Sequence, residues 1–109
     1  MEIYVSDKLE KELEFNTCKR VKGLAMAKKI ALRMEHLRAC DSLADMRHWP
    51  GRCHELTENR RGQFAVSLVE PLRLILKPVG NLEDFTEDGS IKWEKIKAIE
   101  IMEITDYHK

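Results

Sequence analysis

The sequence contains no apolar run that approaches the roughly 20 residues a membrane-spanning helix needs. Its opening, MEIYVSDKLEKE, has neither the basic start nor the apolar middle of a secretory signal, so an unprocessed cytoplasmic protein is expected. Cysteine is scarce. Cys18, Cys40 and Cys53 are odd in number and widely spaced, which argues against a disulfide framework and fits a reducing compartment. There is no CxxC, and His36, His48, His54 and His108 do not pair at zinc-ligand spacing, so no metal site is expected. Cys53 and His54 are adjacent, and neighbours on one strand point to opposite faces. An excess of charge is also missing: 19 basic residues balance 19 acidic ones. That counts mildly against nucleic-acid binding, which usually shows a basic surplus.

What is present is ordinary for a globular chain. The 109 residues suffice for one core, so a single domain over 1–109 is expected. Hydrophobic residues make up 43% and charged residues 35%. The charge is segregated along the chain. Arg47, Arg52, Arg60 and Arg61 face only Glu55 and Glu58 in their stretch, whereas Glu83, Asp84, Glu87 and Asp88 have no base among them.

Residues 2–5 are short and β-prone, a first strand. Asp7 with Glu10 three residues later resembles a capping box, which predicts a helix with Leu9 and Leu13 facing inward. Asn16-Thr17 and Gly23 are expected to break it. From Leu24 to Arg38, the residues Ala27, Ile30, Met34 and Leu37 form one apolar stripe at helical spacing, with Lys28, Lys29, Arg33 and Glu35 off it. Asp41 can cap a short further helix over 42–46, which Trp49-Pro50-Gly51 stops.

The period then changes to two. Residues 52–56 read as a strand and 58–62 as a polar hairpin loop. Phe64, Val66 and Leu68 alternate with Ala65 and Ser67, and Pro71 marks a turn. Leu72, Leu74 and Leu76 then face one way, and Arg73, Ile75 and Lys77 the other. Residues 80–95 are acidic, with an Asp-Gly turn signal, and read as an extended loop or hairpin. Residues 98–105 (AIEIMEIT) carry apolar side chains in both phases, which suits a central strand. There is no internal repeat, low-complexity tract or linker.

The succession of helices, then Arg52-Cys53-His54-Glu55-Leu56, Gly62-Gln63-Phe64-Ala65-Val66-Ser67-Leu68 and Pro71-Leu72-Arg73-Leu74-Ile75-Leu76, closed by Asp106-Tyr107-His108, resembles the HigB branch of the RelE/ParE toxin superfamily. The likeness covers nearly the whole chain and is strongest over 51–78 and at the closing Asp-Tyr-His. It implies an α+β, RelE-like fold, with two N-terminal helices packed on a twisted, mainly antiparallel sheet of four to five strands. It implies a toxin that cleaves mRNA in the ribosomal A site and an antitoxin partner of the HigA type with a helix-turn-helix domain. DNA would then be met only through the toxin–antitoxin complex, and no membrane is involved. The implied reaction uses the RNA 2′-hydroxyl as nucleophile on the adjacent phosphate, giving a cyclic phosphate and a free 5′-hydroxyl. It needs no metal and no organic cofactor.

Such a cleavage requires a base, charge stabilisation on the phosphorane and an acid for the leaving oxygen. Histidine suits either proton role. His54 matches the family's strand histidine, as acid/base group or substrate orienter; the bland alternative is a half-buried strand histidine. Asp106, Tyr107 and His108 match the C-terminal catalytic cluster. Asp106 can hold His108 in one tautomer or serve as base, Tyr107 can stack or donate to phosphate, and His108 can act as acid or base. Their bland alternative is a frayed tail. Arg73 matches the strand arginine that clamps the scissile phosphate, against a plain surface arginine.

Arg60 and Arg61 can contact RNA phosphates or simply decorate a turn. Lys28 and Lys29 read as the wet face of their helix, and Met26 and Met34 as packing. Trp49 and Trp93 can stack on bases, although burial at a loop edge is commoner. The acidic 83–88 segment reads as a solvated loop. Two other functions stay open: a ParE-like toxin that binds gyrase without cutting RNA, and a degenerate module that only binds its antitoxin. A basic groove around His54 and Arg73 would speak against the second.

Overall fold

The computed structural model describes residues 1–106; Tyr107, His108 and Lys109 lie outside the described residues. Strand β1 (Glu2–Val5) leads into helices α1 (Asp7–Leu13), α2 (Phe15–Lys22) and α3 (Leu24–Ala39). A 3₁₀ turn at Leu43–His48 follows. Strands β2 (His54–Glu55), β3 (Phe64–Ser67), β4 (Arg73–Pro78), β5 (Thr86–Glu87), β6 (Ser90–Ile91) and β7 (Ala98–Thr105) come next. Five strands form one sheet in the order β1-β7-β4-β3-β2, while β5 and β6 make a separate small hairpin. In the five-stranded sheet β1 pairs with β7 in parallel, and the other described pairings are antiparallel.

The helices differ from expectation in two ways. Ser6, not Asp7, caps α1: its Oγ accepts from the Leu9 N–H at 3.2 Å, and Asp7 is the first helical residue. The expected first helix is also split in two, and the break is not at Asn16-Thr17. It falls at Glu14, whose backbone is extended (φ −57°, ψ 135°). The Glu14 carboxylate accepts from the N–H groups of Asn16 and Thr17 at 3.1 and 2.8 Å, so those two residues open α2 rather than end a helix. Gly23, at φ 98°, does end α2.

Helix α3 buries the expected stripe of Ala27, Ile30, Met34 and Leu37 against the sheet. Arg33, placed off that stripe by pattern, is buried as well. The turn at 43–48 is 3₁₀, and Asp41 does not cap it. Instead the Asp41 N–H donates to Asp45 Oδ2 at 2.8 Å.

The main core lies between the helices and one face of the sheet: Phe64, Val66, Leu74, Leu76, Ile99 and Ile101 are all buried there. Strand β7 is an interior strand, between β1 and β4, but its two apolar phases have a cause other than burial on both faces. Ile75 pairs with Glu103 and Leu76 with Ile101, so Met102 is an extra residue in a bulge. The bulge resets the phase, so that Ile99, Ile101 and Ile104 all pack on the helix side while Met102 stays exposed. The other face holds a small buried cluster, Leu56, Ala65 and Ile75.

In the acidic segment, Asp88 and Gly89 both have positive φ (52° and 79°), the requirement of a tight two-residue hairpin turn, and join β5 to β6. Trp93 is buried edge-on to Phe64, and its Nε1–H donates to Glu55 Oε2 at 2.8 Å. Among the described residues, no helix is long and apolar enough to cross a membrane.

Candidate active site

Strand alternation decides which side chains share the open face of the sheet. Ala65 pairs with His54 and with Ile75, and Ser67 pairs with Arg73, so these five residues lie on the face away from the helices. At its β3–β4 turn end, the sheet forms a cleft of about 480 Å³ lined by Arg52, Cys53, His54, Ser67 and Arg73. Two arginines and a histidine thus share one cleft, and no carboxylate is among the described residues that line it.

The His54 ring is exposed, and its Nδ1 lies 2.9 Å from the Arg52 carbonyl oxygen. A carbonyl can only accept, so in the neutral ring the proton sits on Nδ1. The lone pair on Nε2 is then the one available for a substrate. Arg73 opens β4 and is four-fifths covered; its Nη1 donates to Glu70 Oε2 at 2.9 Å and to the Leu72 carbonyl at 3.2 Å. Glu70 itself is two-thirds exposed, so this ion pair is well screened and exchangeable.

Arg73 also pairs with Thr105, the last residue of β7. The chain therefore leaves the sheet at Asp106 beside Arg73, and Asp106 is exposed. Tyr107 and His108 fall outside the described residues. Arg60 and Arg61 are not brought to the cleft. Arg60 Nη1 donates to Gln63 Oε1 at 3.0 Å and meets Glu103 at 3.5 Å. Arg61 Nη2 donates to the Gly89 carbonyl at 3.2 Å, on the tip of the β5–β6 hairpin. Arg61 also lines a smaller pocket with Lys77 and Pro78, at the far end of β4 from Arg73.

Sequence reasoning missed three contributors. Ser67 was legible as an outward residue of an alternating strand. Arg52, which carries the His54 partner carbonyl, has a φ of 53° that its sequence does not announce beyond following Gly51. Arg33 reaches from α3 to donate through Nε to the Ser67 carbonyl at 2.8 Å. Among the described residues no three His, Cys, Asp or Glu side chains group as metal ligands. Of the two tryptophans, Trp93 is core, while Trp49 is partly exposed and stacks on His36 at 4.4 Å between ring centroids.

No family model matches the sequence, and no curated protein matches it. Among solved structures, a YoeB/ParE toxin from Agrobacterium tumefaciens is similar along the entire length. The likeness covers 99% of this chain and 100% of that one, with a TM-score of 0.56 at 13% identity. At that identity the likeness is one of fold, and with its helices packed on a mainly antiparallel sheet the chain has a RelE/ParE-like toxin fold.

Proposed function

We propose that the chain is the toxin of a toxin–antitoxin pair and a metal-independent endoribonuclease of the HigB kind, acting on mRNA in the ribosome. The observation that carries this reading is the cleft at the β3–β4 turn. It joins an exposed histidine, whose Nδ1 meets the Arg52 carbonyl, to Arg73 and Arg52, and no carboxylate is among the described residues that line it. In the proposed reaction, a base takes the proton of the RNA 2′-hydroxyl. The freed oxygen forms a bond to the adjacent phosphorus, the bond from phosphorus to the 5′-oxygen breaks, and an acid returns a proton to that oxygen. The products are a cyclic phosphate and a 5′-hydroxyl.

His54 Nε2 suits the base role when neutral and the acid role when charged. Arg73 would exchange its exposed Glu70 partner for the phosphate, a stronger, doubly hydrogen-bonded match for a guanidinium. Asp106, Tyr107 and His108 are proposed to complete the proton relay and hold the substrate; what supports this for Asp106 is that it follows Thr105, the register partner of Arg73. Arg60 and Arg61 are proposed only as outlying contacts to ribosomal RNA. The antitoxin is proposed as a HigA-like partner. A groove of about 920 Å³ between the helices, with Leu13, Phe15, Ile30 and Met34 in its wall, offers it apolar surface.

The test is induction without antitoxin of the wild type and of a His54→Ala/Arg73→Ala variant, with mapping of mRNA 5′ ends. New in-frame cuts with the wild type alone are expected. Growth arrest over intact mRNA would instead favour a ParE-like gyrase binder. No arrest despite folded protein would leave an antitoxin-binding module.

A further inference from the structure

We propose that Arg33, on the helical layer, is a positioning residue that fixes the tautomer of His54 through the turn at 51–52. This rests on the reading of the cleft as a nuclease site. Its structural part stands on contacts alone.

Strand β2 is only two residues long, so it has left the sheet before β3 reaches Ser67. The edge of Ser67 that β2 would have paired is filled in two ways. Its N–H donates to the Gly51 carbonyl at 2.7 Å, and its carbonyl accepts from Arg33 Nε at 2.8 Å. Arg33 therefore supplies the donor that a longer strand would have supplied. Its side chain also roofs Gly51. A Cβ on that residue would lie 2.8 Å from Arg33 Nε and 2.8 Å from Val66 Cγ1.

Gly51 (φ 115°) and Arg52 (φ 53°) are consecutive positive-φ residues. For Arg52 that conformation is unfavourable and persists only where its surroundings hold it. What it achieves is to turn the Arg52 carbonyl onto His54 Nδ1. The chain of contacts thus runs from Arg33 to Ser67 and Gly51, then to Arg52, then to the ring. Arg33 is 5% exposed, and among the described residues no carboxylate pairs with it. Packing alone gives no reason to place a guanidinium there, since an apolar side chain would fill the space without the desolvation penalty.

The experiment uses the full chain with ¹⁵N-labelled histidine and reads the His54 tautomer from two-bond proton–nitrogen correlations. The wild type should show Nδ1–H. Arg33→Met should fold, because it keeps the length of the stem, yet shift His54 toward the Nε2–H form that unconstrained imidazoles favour. RNA cleavage should fall at least tenfold in kcat with little change in KM. Arg33→Lys, which can still donate to Ser67, should recover part of both. Gly51→Ala approaches the same joint from the other side and should reproduce the tautomer shift; it decides the matter if Arg33→Met gives no folded spectrum.

A folded Arg33→Met or Gly51→Ala protein that keeps the wild-type tautomer would overturn the proposal, as would a wild type whose His54 is Nε2–H. If the tautomer shifts as expected but the wild type cuts no RNA, the nuclease reading fails and the positioning role stands.

Discussion

The two faces of the one sheet are built on different terms. The helix-covered face is apolar along β3, β4 and β7, with Phe64, Val66, Leu74, Leu76, Ile99 and Ile101 all at most 2% exposed. Among the described residues the open face buries Leu56, Ala65 and Ile75, and around that small cluster it carries His54, Arg73, Arg60 with Glu103, and Lys77 with Glu100. The first face can hold the fold because apolar burial needs no partners of defined chemistry. The second keeps its charged groups near water, where they can trade one partner for another, as the proposed reaction requires. Apolar burial and exchangeable charge are divided by the pleat, one residue at a time.

That division should be visible in unfolding measurements. Phe64→Ala, at the centre of the covered face, is expected to cost about 3–5 kcal/mol in urea denaturation. Ile75→Ala is equally buried but belongs to the three-residue cluster. Its cost is expected near the low end of the usual range, about 2–3 kcal/mol, because fewer neighbours lose contacts. If Ile75→Ala costs as much as Phe64→Ala, the open face is a second core and the comparison breaks. His54→Ala and Arg73→Gln should each leave stability within about 0.5 kcal/mol, since the ring is exposed and the Arg73 ion pair is screened. Both should abolish RNA cleavage. A large loss of stability in either would mean that the cleft is a structural joint rather than a site.

The covered face was legible in the sequence because periodicity reports burial directly. The stripe Ala27, Ile30, Met34 and Leu37 and the alternation from Leu72 to Lys77 both fall where pattern puts them. What escaped were effects of single backbone positions. Both phases of β7 are apolar because a bulge at Met102 resets them, and a bulge leaves no compositional mark. The helix break at Glu14 depends on one carboxylate accepting from two N–H groups, whereas residue type alone puts the break at Asn16-Thr17. At the site, His54 and Arg73 were nameable through resemblance, but their shared cleft depends on register between β2, β3 and β4. Arg33 was hidden because a helix pattern scores a basic residue as wet. Its position three residues after Ile30 and four before Leu37 nonetheless borders the buried stripe.

Cys53 lies where the two faces meet: it lines the cleft, yet it also packs against the main core. Burial, with a smaller contribution from Cys40, pushes its thiol up to about 12. An unfolded cysteine titrates near about 8.5. Below that pH both states keep the proton, so the thiol adds no pH dependence. Above it the unfolded chain releases a proton that the folded chain retains, so stability must fall as pH rises, until the folded thiol also ionises near about 12. Cys53→Ala should remove this part of the alkaline loss. Compared with the wild type, its stability should decline less steeply between about pH 8.5 and pH 11 by urea titration, with no change of slope between about pH 6 and pH 8. The native thiol should also resist alkylation at pH 8 and react on unfolding, because the thiolate is the nucleophile. Equal alkaline slopes in the two proteins, or rapid native alkylation of Cys53, would place this residue with the open face and move the boundary between the faces inward.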